Sequence, residues 1–501
     1  MALLEMKHIT KIFGDVIANY DVNFSVEKGE VHALLGENGA GKSTLMNILY
    51  GMYLQSEGDI YFQGKQVKIN NPKQAIDLGI GMVHQHFMLI PALTVIENVI
   101  LGFKENKSVL NLKDAAKKFT DMSKRYNMNI DPWLKVSELS VGQQQRLEIL
   151  KALYRDADLL ILDEPTAVLT PQEVECLFQM IRQLKEEGKT VIFISHKLAE
   201  IMEICDRCTV LRLGKLAATL KIKEIQDKEH LAALMVGKDV ELVTSKEKAN
   251  AGEIVLDVKA LNCINDRNVA ALKDINFDVR QGEILGVCGV DGNGQSELIN
   301  CITGLMKVSS GTIKINGNDV TNLPPKKILE NKVAHIPEDR HKMGMIKDMT
   351  IEENLILMSY DKAPYSNHGF LDWKFIEKHS KELCETFSVK TPSINEKAGN
   401  LSGGNQQKFV VGREIERDPK LLIAVHPSRG LDIGATKYIQ SRIIDERDGG
   451  AAVLMVSTEL DEIMEISDRI MVMYDGKIMG IIDQSDATRN GLGLLMAGIV
   501  S

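Results

Sequence analysis

This chain contains an internal repeat of a glycine-rich loop. The segment GENGAGKST at residues 36–44 lies between an apolar stretch and a helix-like stretch, and GVDGNGQSE at residues 289–297 lies in the same context. A shift of 253 residues carries Lys42 onto Gln295, and the same shift aligns SEGDIYFQG with SSGTIKING. The chain is therefore expected to contain two copies of one domain.

The repeat continues farther along the chain with a larger offset. A shift of 262 residues carries LSVGQQQR onto LSGGNQQK and LLILDEPT onto LLIAVHPS. One insertion in the second copy would account for the change of offset. Because 501 residues exceed what one hydrophobic core usually supports, we predict two domains, at residues 1–242 and 254–501, joined by a short polar linker at residues 243–253.

The composition argues against several classes of protein. A net charge of −9 disfavours a broad nucleic-acid-binding surface, which needs excess basic residues to neutralise phosphates. No apolar run approaches the roughly 18 residues needed to cross a bilayer, and the N-terminus lacks the apolar core of a signal peptide. We therefore expect a cytosolic chain whose seven cysteines are reduced thiols, with the lone pair Cys205 and Cys208 serving core packing.

Apolar runs predict a parallel sheet in both copies. VHALLG and EILGVCG lead into the two glycine loops, and LLILDE, VIFISH, LLIAVH and VLMVST have the uniform apolarity of buried parallel strands. Residues 85–158 are polar and helical in pattern, with AAKKFTDMSKRY as an amphipathic piece. Each copy is therefore predicted to be an α/β domain, and a helical subdomain is inserted in the core.

The first glycine loop has the residues of a phosphate-binding site. Its glycines let successive backbone N–H groups face phosphates, Lys42 can reach the β and γ phosphates, and the Ser43 hydroxyl can bind Mg²⁺. The helix that follows adds the positive end of its dipole. Such a loop also arises in ordinary glycine-rich turns, so the interpretation depends on residues elsewhere in the chain.

Four further residues of the first copy are candidates for binding a metal ion and for catalysis. Asp163 ends the run LLILDE beside the expected metal, and Glu164 follows as a candidate general base for a water that attacks the γ phosphate. Two adjacent acids at the end of an apolar strand are costly without a cation, which favours metal binding over a structural role. Gln85 offers an amide to Mg²⁺ or water, and His196 follows the strand VIFIS, although either residue alone is more often a surface or core residue.

In their order and spacing, these motifs resemble the nucleotide-binding cassette of ABC proteins over almost the whole chain. The specific element is the signature motif, LSVGQ at residues 139–143, between Gln85 and LLILDEPT. The resemblance implies a fold of two tandem ABC-type P-loop NTPase domains, each with a mainly parallel sheet, an inserted helical subdomain and an antiparallel β portion. It also implies that Phe13 stacks on adenine and that two cassettes close head to tail, with the signature of one capping ATP at the P-loop of the other.

The resemblance assigns residues of both copies to one complete composite site for ATP and Mg²⁺. Its catalytic residues are Lys42, Gln85, Glu164 and His196, and its metal ligands are Ser43, Gln85 and Asp163. The residues expected to bind ATP are Phe13, Gly36, Glu37, Asn38, Gly39, Ala40, Gly41, Lys42, Ser43, Thr44, Ser402, Gly403, Gly404 and Asp432.

The second copy departs from the family pattern at most of these positions. The expected degenerate site comprises Gln295, Ser296, Glu338, Val425, His426 and Thr458, with Ser140 and Gly142 from the less regular signature of the first copy. Hydrolysis there by the family's mechanism is not expected, because the lysine, the metal carboxylate and the base are all replaced. Undirected decay would have no reason to spare Ser402, Gly404 and Asp432, so we expect one hydrolytic site and one that binds nucleotide weakly or without turnover.

A cassette pair without a membrane segment resembles the ATP-hydrolysing subunit of an ABC importer. The resemblance implies two integral-membrane permease subunits, an extracytoplasmic substrate-binding protein as an indirect partner, no nucleic acid, and a peripheral position on the cytoplasmic face of the cell membrane. GMVHQHFMLIPALTVIENVILG and HIPEDRHKMGM resemble the nucleoside branch, with a monosaccharide importer of the ribose or galactose type as the alternative. A soluble ABC translation factor is disfavoured, because that group has a long, charged, helical linker and two hydrolytic sites.

Overall fold

The chain folds into two compact units, Met1–Leu242 and Val243–Ser501, here called the first and second units. Among the described helices, none has the length and apolarity that a membrane span requires. The structure is a computed structural model, and it describes residues 2–14, 16–84, 87–102, 111–126, 128–166, 169–195, 197–236, 246–265, 268–290 and 292–499.

The described strands of the first unit form two sheets. They are β1 (Ala2–Phe13), β2 (Val16–Glu27), β3 (Val31–Leu35), β4 (Glu57–Phe62), β5 (Lys65–Val67), β6 (Ile80–Val83), β7 (Leu159–Asp163), β8 (Thr190–Ile194), β9 (Arg207–Arg212) and β10 (Lys215–Lys221). The first sheet is antiparallel, in the order β2-β1-β4-β5. The second has the order β10-β9-β3-β8-β7-β6, and only its β9–β10 pair is antiparallel.

The helices of the first unit surround the parallel sheet and form the inserted subdomain. They are α1 (Lys42–Leu49), α2 (Pro72–Asp77), α3 (Val95–Ile100), α4 (Leu112–Arg125), α5 (Val141–Tyr154), α6 (Pro171–Glu186), α7 (Leu198–Ile204) and α8 (Lys228–Val236). α3, α4 and α5 pack against one another between β6 and β7. The amphipathic pattern predicted for this region is that of α4, which buries Ala115, Ala116 and Phe119.

The second unit repeats this arrangement of sheets. Its described strands are β11 (Ile254–Ile264), β12 (Ala270–Arg280), β13 (Ile284–Cys288), β14 (Ser310–Ile315), β15 (Asn318–Asp319), β16 (Val333–Ile336), β17 (Ser366–Asn367), β18 (Phe370–Leu371), β19 (Leu421–Val425), β20 (Ala452–Val456), β21 (Arg469–Tyr474) and β22 (Lys477–Asp483). An antiparallel sheet β12-β11-β14-β15 accompanies a mainly parallel sheet β16-β19-β20-β13-β21-β22, and β17 pairs with β18. The predicted α/β fold class is confirmed.

The described helices of the second unit also follow the order seen in the first. They are α9 (Gln295–Ile302), α10 (Pro325–Leu329), α11 (Ile351–Leu355), α12 (Trp373–Thr386), α13 (Gly403–Ile415), α14 (Ile433–Asp448), α15 (Leu460–Ile466) and α16 (Arg489–Met496). A single turn of π-helix, Arg340–Gly344, precedes α11.

Apolar burial holds each glycine loop in place. In the first unit one core cluster contains Leu4 and Phe24 from the antiparallel sheet, Leu45 from α1, and Leu34 and Ile161 from the parallel sheet. Every residue of β3 is buried, as strands covered on both faces require. The two elements that flank the loop, β3 and α1, are therefore packed into one core that both sheets share.

The extra residues of the second unit occupy several segments, whereas the sequence predicted a single insertion. Asn98 and Asn354 have the same role, because their side-chain oxygens accept the backbone N–H groups of Ile90 and Ile346, each at 2.8 Å. Asn98 and Asn354 are 256 residues apart, whereas the glycine loops are offset by 253. Three extra residues therefore precede Asn354, in the segment with the π-helical turn. The rest lie between α11 and α13, where β17 and β18 form a hairpin, and surface loops accept such additions readily.

Part of the predicted linker is bonded to the second unit. Residues 243–245 lie outside the described residues, but the Lys246 ammonium lies 3.2 Å from the Asp468 carboxylate, and Arg447 donates to the Glu247 carbonyl at 3.0 Å. Gly252 N–H donates to the Gln281 carbonyl at 2.9 Å. Residues 246–253 therefore form an ordered edge of the second unit.

Candidate functional site

The glycine loop of the first unit connects β3 to α1 through backbone conformations that favour glycine. Gly36, Gly39 and Gly41 have φ angles of 149°, 83° and 96°, values that are costly for other residues. Gly36 and Gly41 also lie close to neighbouring strands, since an added Cβ would fall 2.3 Å from the Leu211 carbonyl oxygen or 2.4 Å from the Asn19 amide nitrogen. The loop is therefore shaped by its own glycines and by its close approach to β2 and β9.

The N-terminus of α1 lacks a side-chain cap. Gly41 is the N-cap residue, and the first turn contains no acidic residue. Glu37, Asn38 and Ala40 lie in the loop, and Ser43 and Thr44 lie in the first turn of α1. The uncapped N–H groups and the helix dipole suit this end for an anion.

Lys42 folds back over the loop. Its ammonium donates to the carbonyl oxygens of Gly36 at 2.7 Å and Glu37 at 3.0 Å. Burial lowers the pKa of Lys42, while the carboxylates of Glu164, Asp163 and Glu37 act in the opposite direction. The structure thus places the lysine and both predicted acids in one electrostatic neighbourhood.

Asp163 and Glu164 lie at the carboxyl end of β7. Burial, with a contribution from Glu164, raises the pKa of Asp163 from 3.8 to about 6, and Lys42 offsets this only in part. Glu164 has a φ of 47°, and its N–H donates to the Ile194 carbonyl at 2.9 Å. The turn is strained, and it brings both acids to the edge of the sheet that carries the glycine loop.

Two of the predicted residues, Gln85 and His196, lie outside the described residues. The strands that precede them end at Val83 and Ile194, on either side of β7 in the sheet. Phe13 is 41% exposed at the end of β1, with its ring centroid 5.2 Å from that of Tyr53 and the Lys11 ammonium 4.7 Å from its ring. Its side chain is thus accessible to a ligand.

Glu200 is a residue of this region that sequence reasoning missed. Its Oε2 accepts hydrogen bonds from Thr166 at 2.7 Å and Ser195 at 3.1 Å, so it joins the loop after β7 to the loop after β8. In the second unit Glu462 accepts from Ser428 and Ser457 in the same way. The offset of 262 residues between the two glutamates was a signal that could have identified them.

In the second unit the equivalent residues line a cavity of about 180 Å³. Gln295 is buried and donates to the Val290 carbonyl at 3.3 Å. Glu338 takes a hydrogen bond from Ser296 at 3.5 Å and lies 3.2 Å from the Arg429 guanidinium. The cavity is lined by Gly289, Gly292, Gln295, Ser296, Glu338, Val425, His426, Val456, Ser457 and Thr458.

His426 keeps the backbone geometry of Glu164 without its carboxylate. Its φ is 46°, and its N–H donates to the Val456 carbonyl at 2.7 Å. The strained turn thus occurs in both units, whereas Val425 and His426 offer no carboxylate to a cation. The difference between the two sites lies in side-chain chemistry, not in the fold.

Both signature motifs start a helix with a serine cap. Ser140 begins α5 in a capping box, where its Oγ accepts from the Gln143 N–H at 3.2 Å, and Ser402 begins α13. Asp432 caps α14 by accepting the Ala435 N–H at 2.7 Å, and its carboxylate would lie 3.8 Å from a Cβ added to Gly404. The structure therefore brings Ser402, Gly404 and Asp432 together on one face of the second unit.

Each unit thus combines a P-loop, strand-end residues and a separate signature helix, which defines a protein with two tandem nucleotide-binding cassettes. The chain belongs to the ABC transporter family, whose model matches residues 20–167 and 272–428, and the cassettes of this family bind ATP.

Three curated relatives are similar along nearly their whole length. The nucleoside import ATP-binding protein NupA of Lactococcus lactis subsp. cremoris is 51% identical over 99% of this chain and 98% of its own. The guanosine import ATP-binding protein NupO of Bacillus subtilis is 51% identical over 99% and 97%. The glucose import ATP-binding protein TsgD13 of Haloferax volcanii is 43% identical over 99% and 96%.

One solved structure resembles the fold across both units. It is an archaeal ribosome recycling factor in complex with a ribosomal stalk protein. The likeness covers 98% of this chain and 92% of that chain, with 19% identity and a TM-score of 0.64. At this identity the similarity concerns the fold alone.

Proposed function

We propose that this chain is the ATP-hydrolysing subunit of an importer that carries nucleosides across the cytoplasmic membrane. The observation that carries the proposal is the 51% identity, over nearly the full length, to proteins named for nucleoside and guanosine import. The relative named for glucose import is 43% identical, which favours nucleosides over monosaccharides as cargo.

Hydrolysis is assigned to the P-loop of the first unit. The loop N–H groups and the dipole of α1 bind the phosphates, and Lys42 turns from the Gly36 and Glu37 carbonyls to the β and γ phosphates. Glu164 accepts a proton from the water that attacks the γ phosphate. Gln85 orients that water, and His196 contacts the γ phosphate.

A divalent cation fits beside Asp163. The pKa of this carboxyl is raised by burial and by the neighbouring Glu164, so a nearby positive charge would relieve the cost of ionising it. Ser43 and Asp163, with Gln85, would hold Mg²⁺, which neutralises phosphate charge when it is bound.

The second unit completes the hydrolytic site. Ser402, Gly403, Gly404 and Asp432 act as the cap on ATP that is held at the P-loop of the first unit, and Phe13 stacks on adenine. The opposite site combines the cavity around Gln295 and His426 with the first unit's signature, and it binds nucleotide weakly or without turnover. The support for this asymmetry is the replacement of the lysine and both acids within an unchanged backbone geometry.

The expected partners are two integral-membrane permease subunits and, indirectly, an extracytoplasmic substrate-binding protein. The chain is placed on the cytoplasmic face of the membrane. Motion is transmitted near the Gln85 segment, where a cavity of about 150 Å³ lies between β6 and α5, lined in part by His84, Glu148 and Lys151. This cleft, lined by both apolar and charged side chains, suits a short amphipathic segment of a permease.

Uptake and ATPase measurements test the proposal together. Cells that carry Lys42→Ala should lose uptake of labelled nucleosides and retain uptake of labelled sugars, and the matched Gln295→Ala variant should keep nucleoside uptake. Loss of sugar uptake alone would assign the chain to a monosaccharide importer, and copurification with ribosomes in place of membranes would indicate a translation factor. The site assignment is wrong if Gln295→Ala abolishes ATPase activity while Glu164→Gln leaves it intact.

A further inference from the structure

Side chains of opposite charge lie against the N-termini of the two signature helices, α5 in the first unit and α13 in the second. In the first unit the charged group is Glu173, from the first turn of α6. In the second unit it is Arg340, from the π-helical turn before α11. Neither residue is among those predicted to bind ATP or Mg²⁺.

Glu173 covers the signature glycine of the first unit. Its Oε2 accepts hydrogen bonds from the Thr170 N–H at 3.0 Å and the Thr170 hydroxyl at 3.2 Å. A Cβ added to Gly142 would fall 1.8 Å from Oε1, and its three nearest atoms would all belong to this carboxylate. The carboxylate therefore lies directly on Gly142, which is buried.

The equivalent glycine of the second unit is open. The shift of 262 residues carries Glu173 onto Ala435 and Gly142 onto Gly404. A Cβ added to Gly404 would lie 3.4 Å from the Ala435 Cβ and 3.8 Å from the Asp432 carboxylate. Gly404 is only half-buried, and the Asp432 oxygen nearest to α14 is already bonded to the Ala435 N–H.

Arg340 brings a positive charge to the second signature. A Cβ added to Gly403 would lie 2.8 Å from Arg340 Nη2, and Arg340 Nε donates to the Gln406 side-chain oxygen at 3.3 Å. Burial lowers the pKa of the Arg340 guanidinium, and the Asp339 carboxylate opposes this shift. In the described part of the chain no carboxylate forms an ion pair with Arg340. The counterpart segment of the first unit, residues 84–94, is three residues shorter and contains no arginine or lysine. The first signature therefore has no counterpart of Arg340.

We propose that Arg340 and Glu173 determine which signature accepts the γ phosphate of a nucleoside triphosphate. The inference rests on the proposed function, in which each signature caps nucleotide at the P-loop of another cassette. Arg340 donates charge-assisted hydrogen bonds to the γ phosphate at the hydrolytic site. Glu173 places a carboxylate where the γ phosphate of the degenerate site would lie, and like-charge repulsion excludes the triphosphate there.

The first arm of the test measures ATP hydrolysis by the full chain. Arg340→Gln should raise the KM for ATP about tenfold or more, with a smaller change in kcat and an unchanged inhibition constant for ADP, which lacks the γ phosphate. Arg340→Lys should restore most of the affinity, because it keeps the charge while losing the bond to Gln406. If Arg340→Lys behaves like Arg340→Gln, Arg340 only supports the loop.

The second arm measures nucleotide binding in a Lys42→Ala background, where the first P-loop is disabled. Glu173→Gln keeps an oxygen for Thr170 but removes the charge, and it should raise the affinity for ATP about tenfold with little change for ADP. Glu175→Gln, an exposed position of α6, is the matched control and should leave both affinities unchanged. Equal ATP affinity in the Glu173→Gln variant and its parent would overturn the role of Glu173.

Different results would contradict the charge-based selection and the proposed ATPase activity. If the parent chain hydrolyses ATP and Lys42→Ala does not, the proposed ATPase stands whatever the Arg340 and Glu173 variants do. Unchanged KM and affinity in those variants then refute only the charge-based selection. If the parent chain does not hydrolyse ATP, the proposed function itself fails.

Discussion

The strand β16 contains a histidine whose replacement should change the acid stability of the second unit. His335 is equivalent to Met82 of β6 by the 253-residue shift. Its ring Nε2 is shielded from solvent and has no hydrogen-bond partner in the described part of the chain. Burial lowers the pKa of His335 from 6.5 to about 4, and Glu414 opposes this shift only in part. His335→Met therefore replaces a half-buried titrating ring with the side chain that the first unit has at this position.

The sign and size of the effect follow from proton linkage. Because the folded state holds the histidine neutral, the unfolded state binds more protons between pH 6.5 and about 4, and the free energy of unfolding falls as the pH falls. The full contribution is present above pH 6.5. At pH 5 the loss amounts to about 2 kcal/mol, at about 1.36 kcal/mol for each tenfold change in proton affinity. The His335→Met variant should not show this loss of stability at acidic pH.

Tryptophan fluorescence can isolate the second unit. The chain has two tryptophans, Trp133 and Trp373, so a Trp133→Phe background leaves Trp373 of α12 as the reporter. Urea unfolding at pH 7.5 and pH 5.0 should show that His335→Met loses about 2 kcal/mol less stability than its parent. His8→Gln, an exposed histidine of the first unit, is the control and should match the parent. Equal acid sensitivity of His335→Met and the parent would refute the buried neutral histidine.

Three further predictions concern the glycine loop, the cysteines and the loop-joining glutamate. Gly41→Ala should lower the free energy of unfolding by about 2 kcal/mol or more, because the added Cβ overlaps neighbouring atoms. Gly39→Ala, with nothing within 4 Å of its Cβ, should lower it less in the same thermal unfolding experiment. Equal losses for the two variants would contradict the packing of the loop. A thiol reagent should modify one cysteine per native chain rapidly, Cys176, since the other six are buried, and two or more fast thiols would contradict this. Glu200→Ala should lower kcat about tenfold with little change in KM, while exposed Glu203→Ala should match the parent; a change in KM alone would indicate a different role.

The number of units and the position of each glycine loop could be predicted from the amino-acid sequence. Apolar runs such as LLILDE and VIFISH became β7 and β8, because a strand buried on both faces needs uniformly apolar residues. The glycines of residues 36–41 indicated the loop, because few other residues adopt its φ angles. These features could be predicted since each depends on residues that are neighbours in the chain.

The side chains around the signature helices and the distribution of the extra residues could not be predicted, because they depend on contacts between distant parts of the chain. Glu173 reaches Gly142 across 31 residues, and Arg340 reaches Gly403 across 63, and no local pattern reports such contacts. The single insertion was predicted from two offsets, which do not show how the extra residues are divided between them. The linker at residues 243–253 was predicted from its polarity, which does not indicate that Lys246 pairs with Asp468. Charge and close packing act through space. The negative charge beside the first signature and the positive charge beside the second therefore follow from the packing of the helices, and not from the order of residues in the chain.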